Sequence, residues 1–185
     1  MIALTYLFFI TLITGLLYPL AVTLAANLVF PVQSKGSLII EGDAVRGSTF
    51  IGQDFKSDKF FHGRPSSSSY DTMASGASNL SVTSAALKTE VDKRRDEWQK
   101  TYGTYNIPEE MLYASASGLD PEISPEAALI QAECVSKARG YDMHKKTRLM
   151  EYIKRKADPK GMTVLHISRV NVLELNLVLE ENARH

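Results

Sequence analysis

The first thirty residues, "MIALTYLFFITLITGLLYPLAVTLAANLVF", hold no charged side chain, and the first charge in the chain is Lys35. A helix crosses the hydrocarbon core of a bilayer with about 20 apolar residues. A cleaved signal peptide would have a basic start and a shorter apolar run. A helix buried in a soluble core is seldom apolar on every face. Residues 1–34 are therefore expected to form a retained membrane helix with its flank, and residues 35–185 a separate polar domain. All 21 basic and 21 acidic residues fall in that second part.

Two further counts exclude classes of function. Zero net charge argues against a nucleic-acid partner, because binding phosphates calls for a basic excess. A single cysteine, Cys134, rules out an intrachain disulfide and a cysteine-based zinc site.

Within the apolar segment, Gly15 and Pro19 stand four apart with Tyr18 beside the proline. Proline removes a helical hydrogen bond and crowds the preceding turn, so a kink is expected near residues 14–18. Gly15 lets a second helix approach closely, and Thr11, Thr14 and Asn27 offer hydrogen bonds across such a contact. Gly15, Tyr18 and Pro19 are thus candidates for docking to a membrane partner. Only two basic residues, Lys35 and Arg46, closely follow the helix, and counting them places the polar domain weakly on the cytoplasmic side.

The polar part reads as an α/β (or α+β) soluble domain anchored by one N-terminal transmembrane helix. "GSLIIEG" (36–42) reads as a strand and "GSTFIGQDF" (47–55) as a strand or turn. A helix is expected from about Ser84 to Gly103, with Leu87, Val91, Trp98 and Tyr102 on one face. Pro108 opens a short helix through Met111. Ser124-Pro125-Glu126 supplies a capping hydroxyl, a proline at the first helical position and an early acid, predicting a helix to about Arg139. Asp142 caps another, with Met143, Met150 and Ile153 inward, closed by Pro159 and Gly161. Two strands should follow. The last, "RVNVLELNLVLEE" (169–181), alternates Leu173, Leu175, Leu177 and Leu179 against Glu174, Asn176 and Glu180.

Catalytic signatures are missing: no phosphate loop ending Gly-Lys-Ser/Thr, no Gly-x-Ser-x-Gly elbow, no His-Glu-x-x-His. The four histidines lie far apart, so no metal site is expected. Cys134 on a helix reads as a small packed residue rather than a nucleophile. Two loop stretches stand out: "FFHGRPSSSSYDTMASGASNL" (60–80) and "SASGLDPEISPEAA" (115–128). The amides at the start of the helix that the second stretch leads into could hold an anion. The plainer reading is an ordered loop whose hydroxyls and Asp120 bond its own backbone. Arg64, Tyr70, Asp71, Ser75, Gly76, Asn79, Ser117, Gly118 and Asp120 are the candidate ordered-loop or interface residues. Tyr70 and Asn79 are expected to be at least half buried.

Seven stretches in order resemble one family, the C subunit of the potassium-transporting P-type ATPase, KdpC. They are "TGLLYP" (14–19), "FPVQSKGSLI" (30–39), "GSTFIGQDF", "FFHGRPS", "YDTMASGASNL", "SASGLDPEISPEAA" and "RVNVLELNLVL". Ala77 and Cys134 depart from the family pattern, as does "DPKGMTVLHIS" (158–168) before the final segment. The resemblance implies a non-catalytic accessory subunit of an ATP-driven potassium uptake complex in the bacterial inner membrane. Its implied partners are a channel-like potassium-binding subunit, a P-type ATPase subunit, a small fourth membrane subunit and the lipid bilayer. It further implies a cytoplasmic N-terminus and an extracytoplasmic domain. No cofactor is required, although the family is described as a catalytic chaperone for ATP binding by the pump, with Gln131 as a nucleotide contact. The alternative is a nucleotide-binding regulatory subunit with a cytoplasmic domain. The phosphorylated Asp-Lys-Thr-Gly sequence of the pump itself is absent.

Overall fold

The computed structural model describes residues 1–157 and 168–184, with side chains through residue 181. They fall into two compact units, Met1–Phe50 and Ile51–His185. The hairpin that sequence assigned to the polar domain thus groups with the helix.

In the first unit, helices α1 (Ile2–Leu12) and α2 (Tyr18–Val29) are joined by a π-turn, Ile13–Leu17. Together they form one 28-residue apolar helix, Ile2–Val29, in which no residue is buried. The expected distortion takes the form of that π-turn. Pro19 has no N–H and its ring crowds the carbonyl four residues back. The Tyr18 N–H reaches five residues back, to the Ile13 carbonyl, which is how a π-bulge absorbs such a conflict. The polar side chains serve the helix itself: the Thr14 hydroxyl donates to the Ile10 carbonyl at 2.8 Å, and Asn27 Nδ2 to the Thr23 carbonyl at 2.9 Å. A single 3₁₀ turn at Gln33–Lys35 leads to strands β1 (Leu38–Glu41) and β2 (Ala44–Ser48), paired antiparallel with a bulge opposite Ile39 and Ile40.

The second unit is mostly helical. Helix α3 (Ala85–Tyr102) follows Ser84 and stops at Gly103. Its φ of +66° is a left-handed position that glycine takes without a Cβ penalty. Val91 and Trp98 are buried on the expected face. Helix α4 (Pro125–Ala138) starts as its sequence predicts, with the Ser124 hydroxyl accepting the Ala127 N–H at 3.1 Å. Its buried alanines, Ala127, Ala128 and Ala132, let α5 (Met143–Ala157) pack close. Asp142 caps α5 through the Lys145 N–H at 2.7 Å. Two-residue strands β3 (Glu122–Ile123) and β4 (Val170–Asn171) pair antiparallel, so the domain is α+β in character. Phe61, Trp98, Met111, Ile123, Val135, Ile153, Leu175 and Leu179 share one core.

Two expectations change. The segment after Asn171 is not a strand but helix α6 (Val172–Arg184). Buried Val172, Leu175, Asn176 and Leu179 recur at helical spacing. Asn171 caps the helix by accepting the Glu174 N–H at 3.0 Å, a local signal that the alternating leucines obscured. Met143 faces outward, 76% exposed, and Leu149 takes its place in the inward set with Ile153 and Ala157. "GSTFIGQDF", read as a strand or turn, gives Gly47 and Ser48 to a strand and then turns. Helix α5 is described as far as Ala157, and the closing Pro159 and Gly161 and the first of the two expected strands lie outside the described residues.

Candidate functional site

Residues 64–79 have almost no regular structure, yet they are tied down along their length to a loop fifty residues away. Serine hydroxyls make two of these ties and brace the loop internally with two more bonds. Ser66 Oγ donates to the Gly118 carbonyl at 2.7 Å and accepts the Tyr70 N–H at 2.9 Å. Ser67 Oγ donates to the Gly76 carbonyl at 2.7 Å, drawing the loop's two limbs together. The Ser117 carbonyl accepts both Ser75 Oγ and the Gly76 N–H at 2.9 Å. The Ser115 N–H donates to the Pro65 carbonyl at 2.9 Å. Short hydroxyls suit this work because each can satisfy a backbone group that no strand or helix pairs.

Two larger side chains set the position of the loop. Arg64 Nη1 pairs with Asp120 Oδ2 at 2.9 Å, with both side chains about a quarter exposed. The Tyr70 hydroxyl donates to the Arg64 carbonyl at 2.6 Å. Burial pushes its pKa up from 10.0 to about 12, and the nearby carboxylates of Asp54 and Asp120 push in the same direction. Close approach also requires glycine. A Cβ on Gly52 would come within 2.6 Å of the Asp120 carbonyl oxygen and 2.8 Å of the Tyr70 ring. Gly118, at φ +69°, faces Ser68 and the Gly76 carbonyl where any side chain would intrude.

Arg64, Tyr70, Ser75, Gly76, Ser117, Gly118 and Asp120 are therefore brought together, as one braced pair of loops. Asp71 lies at the exposed edge, where its carboxylate accepts the Met73 N–H at 2.9 Å and closes a turn. Asn79 departs from expectation: it is exposed, in a left-handed conformation at φ 52°. Asparagine is among the residues that tolerate this conformation best, so its part is conformational rather than packing. Asp120 Oδ1 accepts the Glu122 N–H and Ser117 Oγ the Leu119 N–H, each at 3.0 Å. These bonds give the self-satisfied loop of the plainer reading rather than an anion cradle.

Gln131 is fully buried. Its Oε1 accepts the His62 N–H at 2.7 Å and its Nε2 donates to the His62 carbonyl at 3.1 Å. Asn176 on α6 holds the preceding residue in the same way, gripping the Phe61 N–H at 2.7 Å and its carbonyl at 3.0 Å. Two helices thus clamp consecutive peptide units of "FFHGRPS" with side-chain amides. Sequence reading missed Asn176 because it placed the residue on the outer face of a strand.

Beside the clamp lies a cleft of about 390 Å³ lined by Asp58, Phe60, His62, Tyr102 and Cys134, among others. The Cys134 thiol donates to the Thr101 carbonyl at 3.5 Å, and burial, with Glu133 nearby, raises its pKa. Both leave it less ionised and a poor nucleophile at neutral pH. Among the described residues no group of three or more His, Cys, Asp and Glu could hold a metal ion. Gly15, Tyr18 and Pro19 are exposed on the apolar helix, and a Cβ on Gly15 would meet only Thr11 at 3.9 Å.

An exposed apolar helix of spanning length, followed in the chain by a small α+β unit whose distinctive loops are braced for shape, fits a membrane-anchored protein. The chain belongs to the KdpC family, described as the c chain of the K+-transporting ATPase, whose model matches residues 1–181. It is similar to the potassium-transporting ATPase KdpC subunit of Rhodopseudomonas palustris strain BisB5, at 43% identity over 98% of this chain and 96% of that one. The Pectobacterium atrosepticum subunit of the same name is 44% identical over 92% of this chain and 90% of its own length. That of Allorhizobium ampelinum is 42% identical over 97% and 93%.

Proposed function

We propose that this chain is a non-catalytic, membrane-anchored subunit of a potassium-transporting ATPase complex, and that it assembles and stabilises the channel-like and ATP-hydrolysing subunits. The observation that carries this reading is the family match along residues 1–181, with relatives that all bear the name of a potassium-transporting ATPase subunit. The helix Ile2–Val29 would cross the bacterial inner membrane with the N-terminus in the cytoplasm. Its Gly15–Pro19 stretch would dock against partner helices, including those of a small fourth subunit. The braced loops 64–79 and 115–120 would present a shaped polar surface to the channel-like subunit on the outer side. On this reading ATP stays with the pump subunit, and any effect on its binding reaches it through subunit contacts. In support of this reading, both polar atoms of the Gln131 amide bond the His62 backbone.

The test is co-expression with the partner subunits. The wild-type chain should co-purify with them, and a Gly15→Leu, Pro19→Leu double variant should be lost from the complex. An undiminished yield of complex would refute the docking role. Orientation is read with a Lys93→Cys change in a Cys134→Ser background, Lys93 being exposed on α3. Labelling by a membrane-impermeant thiol reagent in intact spheroplasts is expected. Labelling only after lysis would favour the nucleotide-binding regulator with a cytoplasmic domain.

A further inference from the structure

The hairpin that follows the membrane helix exposes three apolar side chains on one face, which also holds the buried Ser48 opposite Leu38. Opposite residues of an antiparallel ladder share a face, and so do alternate residues of one strand. Ile40 pairs with Val45, and Leu38 lies two residues before Ile40. Leu38, Ile40 and Val45 therefore form one face, and they are 42%, 62% and 59% exposed. The other face carries Ile39, Glu41 and Ala44, with Arg46 Nε bonded to Glu41 Oε2 at 2.8 Å. A two-stranded ribbon is marginal in water by itself and gains stability by covering an apolar face.

Ser34 Oγ donates to Asn27 Oδ1 at 3.1 Å, which folds the chain back on the last turns of α2. The Ser37 N–H then reaches the Val32 carbonyl at 3.1 Å. The Ser48 hydroxyl donates to the Gly36 carbonyl at 2.7 Å, and the Thr49 N–H to the Ser37 carbonyl at 3.2 Å. The turn at residues 30–37 is thus bonded to the end of the apolar helix on one side and to the ribbon on the other. Large apolar side chains flank it on both sides in the chain: Phe30 at 57% exposed, Val32 at 60% and Phe50 at 70%. The headgroup zone beyond the hydrocarbon is only about 5–7 Å deep on each side, so a ribbon tied through that turn to the helix end meets it directly.

We propose that the β1–β2 hairpin lies in the bilayer interface, with Leu38, Ile40 and Val45 turned toward the acyl boundary and the Glu41–Arg46 pair toward water. It would act as an amphipathic foot that fixes the depth at which the helix leaves the membrane, as interfacial helices do with their apolar faces. The proposal rests on Ile2–Val29 crossing the membrane. Its occupant is lipid, and zwitterionic lipid suffices because Lys35 and Arg46 are balanced by Glu41 and Asp43.

The test introduces tryptophan into the full chain, in nanodiscs made with and without brominated-chain phosphatidylcholine. Trp98, the sole native tryptophan, is buried in the domain core and gives the background. Leu20→Trp reports on the helix, Ile40→Trp and Val45→Trp on the apolar face, and Ala44→Trp on the opposite face. Bromine is expected to remove about half or more of the added emission at positions 20, 40 and 45, and little at 44, as a one-sided interfacial ribbon requires. Quenching at 20 with none at 40 or 45 would overturn the proposal and leave the membrane helix standing. No quenching at 20 would overturn both. The same measurement on the co-expressed complex separates lipid from protein: blue-shifted, unquenched emission at 40 and 45 means a partner subunit covers the face, and the proposal fails.

Discussion

Asn176→Leu is the substitution that most directly tests how "FFHGRPS" is held. Leucine nearly preserves volume while removing both hydrogen bonds to Phe61. Asn176 is 2% exposed and Phe61 fully buried, so water has no ready route to the peptide unit left behind. An unpaired buried N–H or C=O costs about 1–3 kcal/mol, and the two together about 2–6 kcal/mol. Leucine recovers about 1–2 kcal/mol of that, since it buries no amide of its own. The expected net loss is about 1–4 kcal/mol, or roughly 5- to 1000-fold in the folding equilibrium at 1.36 kcal/mol per factor of ten. Guanidinium unfolding of the full chain in detergent measures it through Trp98, which is 7% exposed, lies 4.2 Å from the Tyr102 ring and shares the core with Phe61. The midpoint should fall with little change in slope. Gln131→Leu should act similarly, and the double variant should lose less than the sum because the two clamps hold adjacent peptide units. A loss below about 0.5 kcal/mol, the range of an ordinary surface substitution, would refute the clamp.

Three further predictions concern the braced loops and the start of α6. Tyr70 keeps its proton in the folded protein to about pH 12 but loses it near 10 when unfolded. Between those values the unfolded state binds fewer protons, so stability falls as pH rises from 10 to 12, and Tyr70→Phe should reduce that slope in denaturant titrations. Part of the slope should remain, because burial raises the pKa of Tyr102 as well. Gly52→Ala should destabilise the domain by about 1–3 kcal/mol in a thermal melt, because the new Cβ drives into the Asp120 backbone; an unchanged melting temperature would contradict the close approach. Asn171→Ala should cost about 1 kcal/mol through the lost cap of α6, measured by circular dichroism against denaturant, whereas a strand there would make the change nearly neutral.

Several elements could be read from the chain because their causes are local. Thirty uncharged residues dictate a helix apolar on every side, and Pro19 marks where its ladder must give way. Ser124-Pro125, Asp142 and Gly103 start or stop helices through groups within four residues of themselves. The segment after Asn171 shows the limit of such reading. Leu173, Leu175, Leu177 and Leu179 satisfy a period of two, while Val172, Leu175, Asn176 and Leu179 satisfy the helical one. Composition alone leaves both open. The choice falls to the helix because it turns Asn176 inward, where its amide meets the Phe61 backbone 115 residues away. The serine-rich loop was legible as ordered in the same limited way. Tyr70 and Asp120 could be singled out by type, but the carbonyls that Ser66 and Ser75 reach lie 52 and 42 residues along the chain. Period and capping act within one turn of backbone and so are written in the order of residues. The partners of buried amides and loop hydroxyls are set by folding, which brings together groups that the sequence keeps far apart.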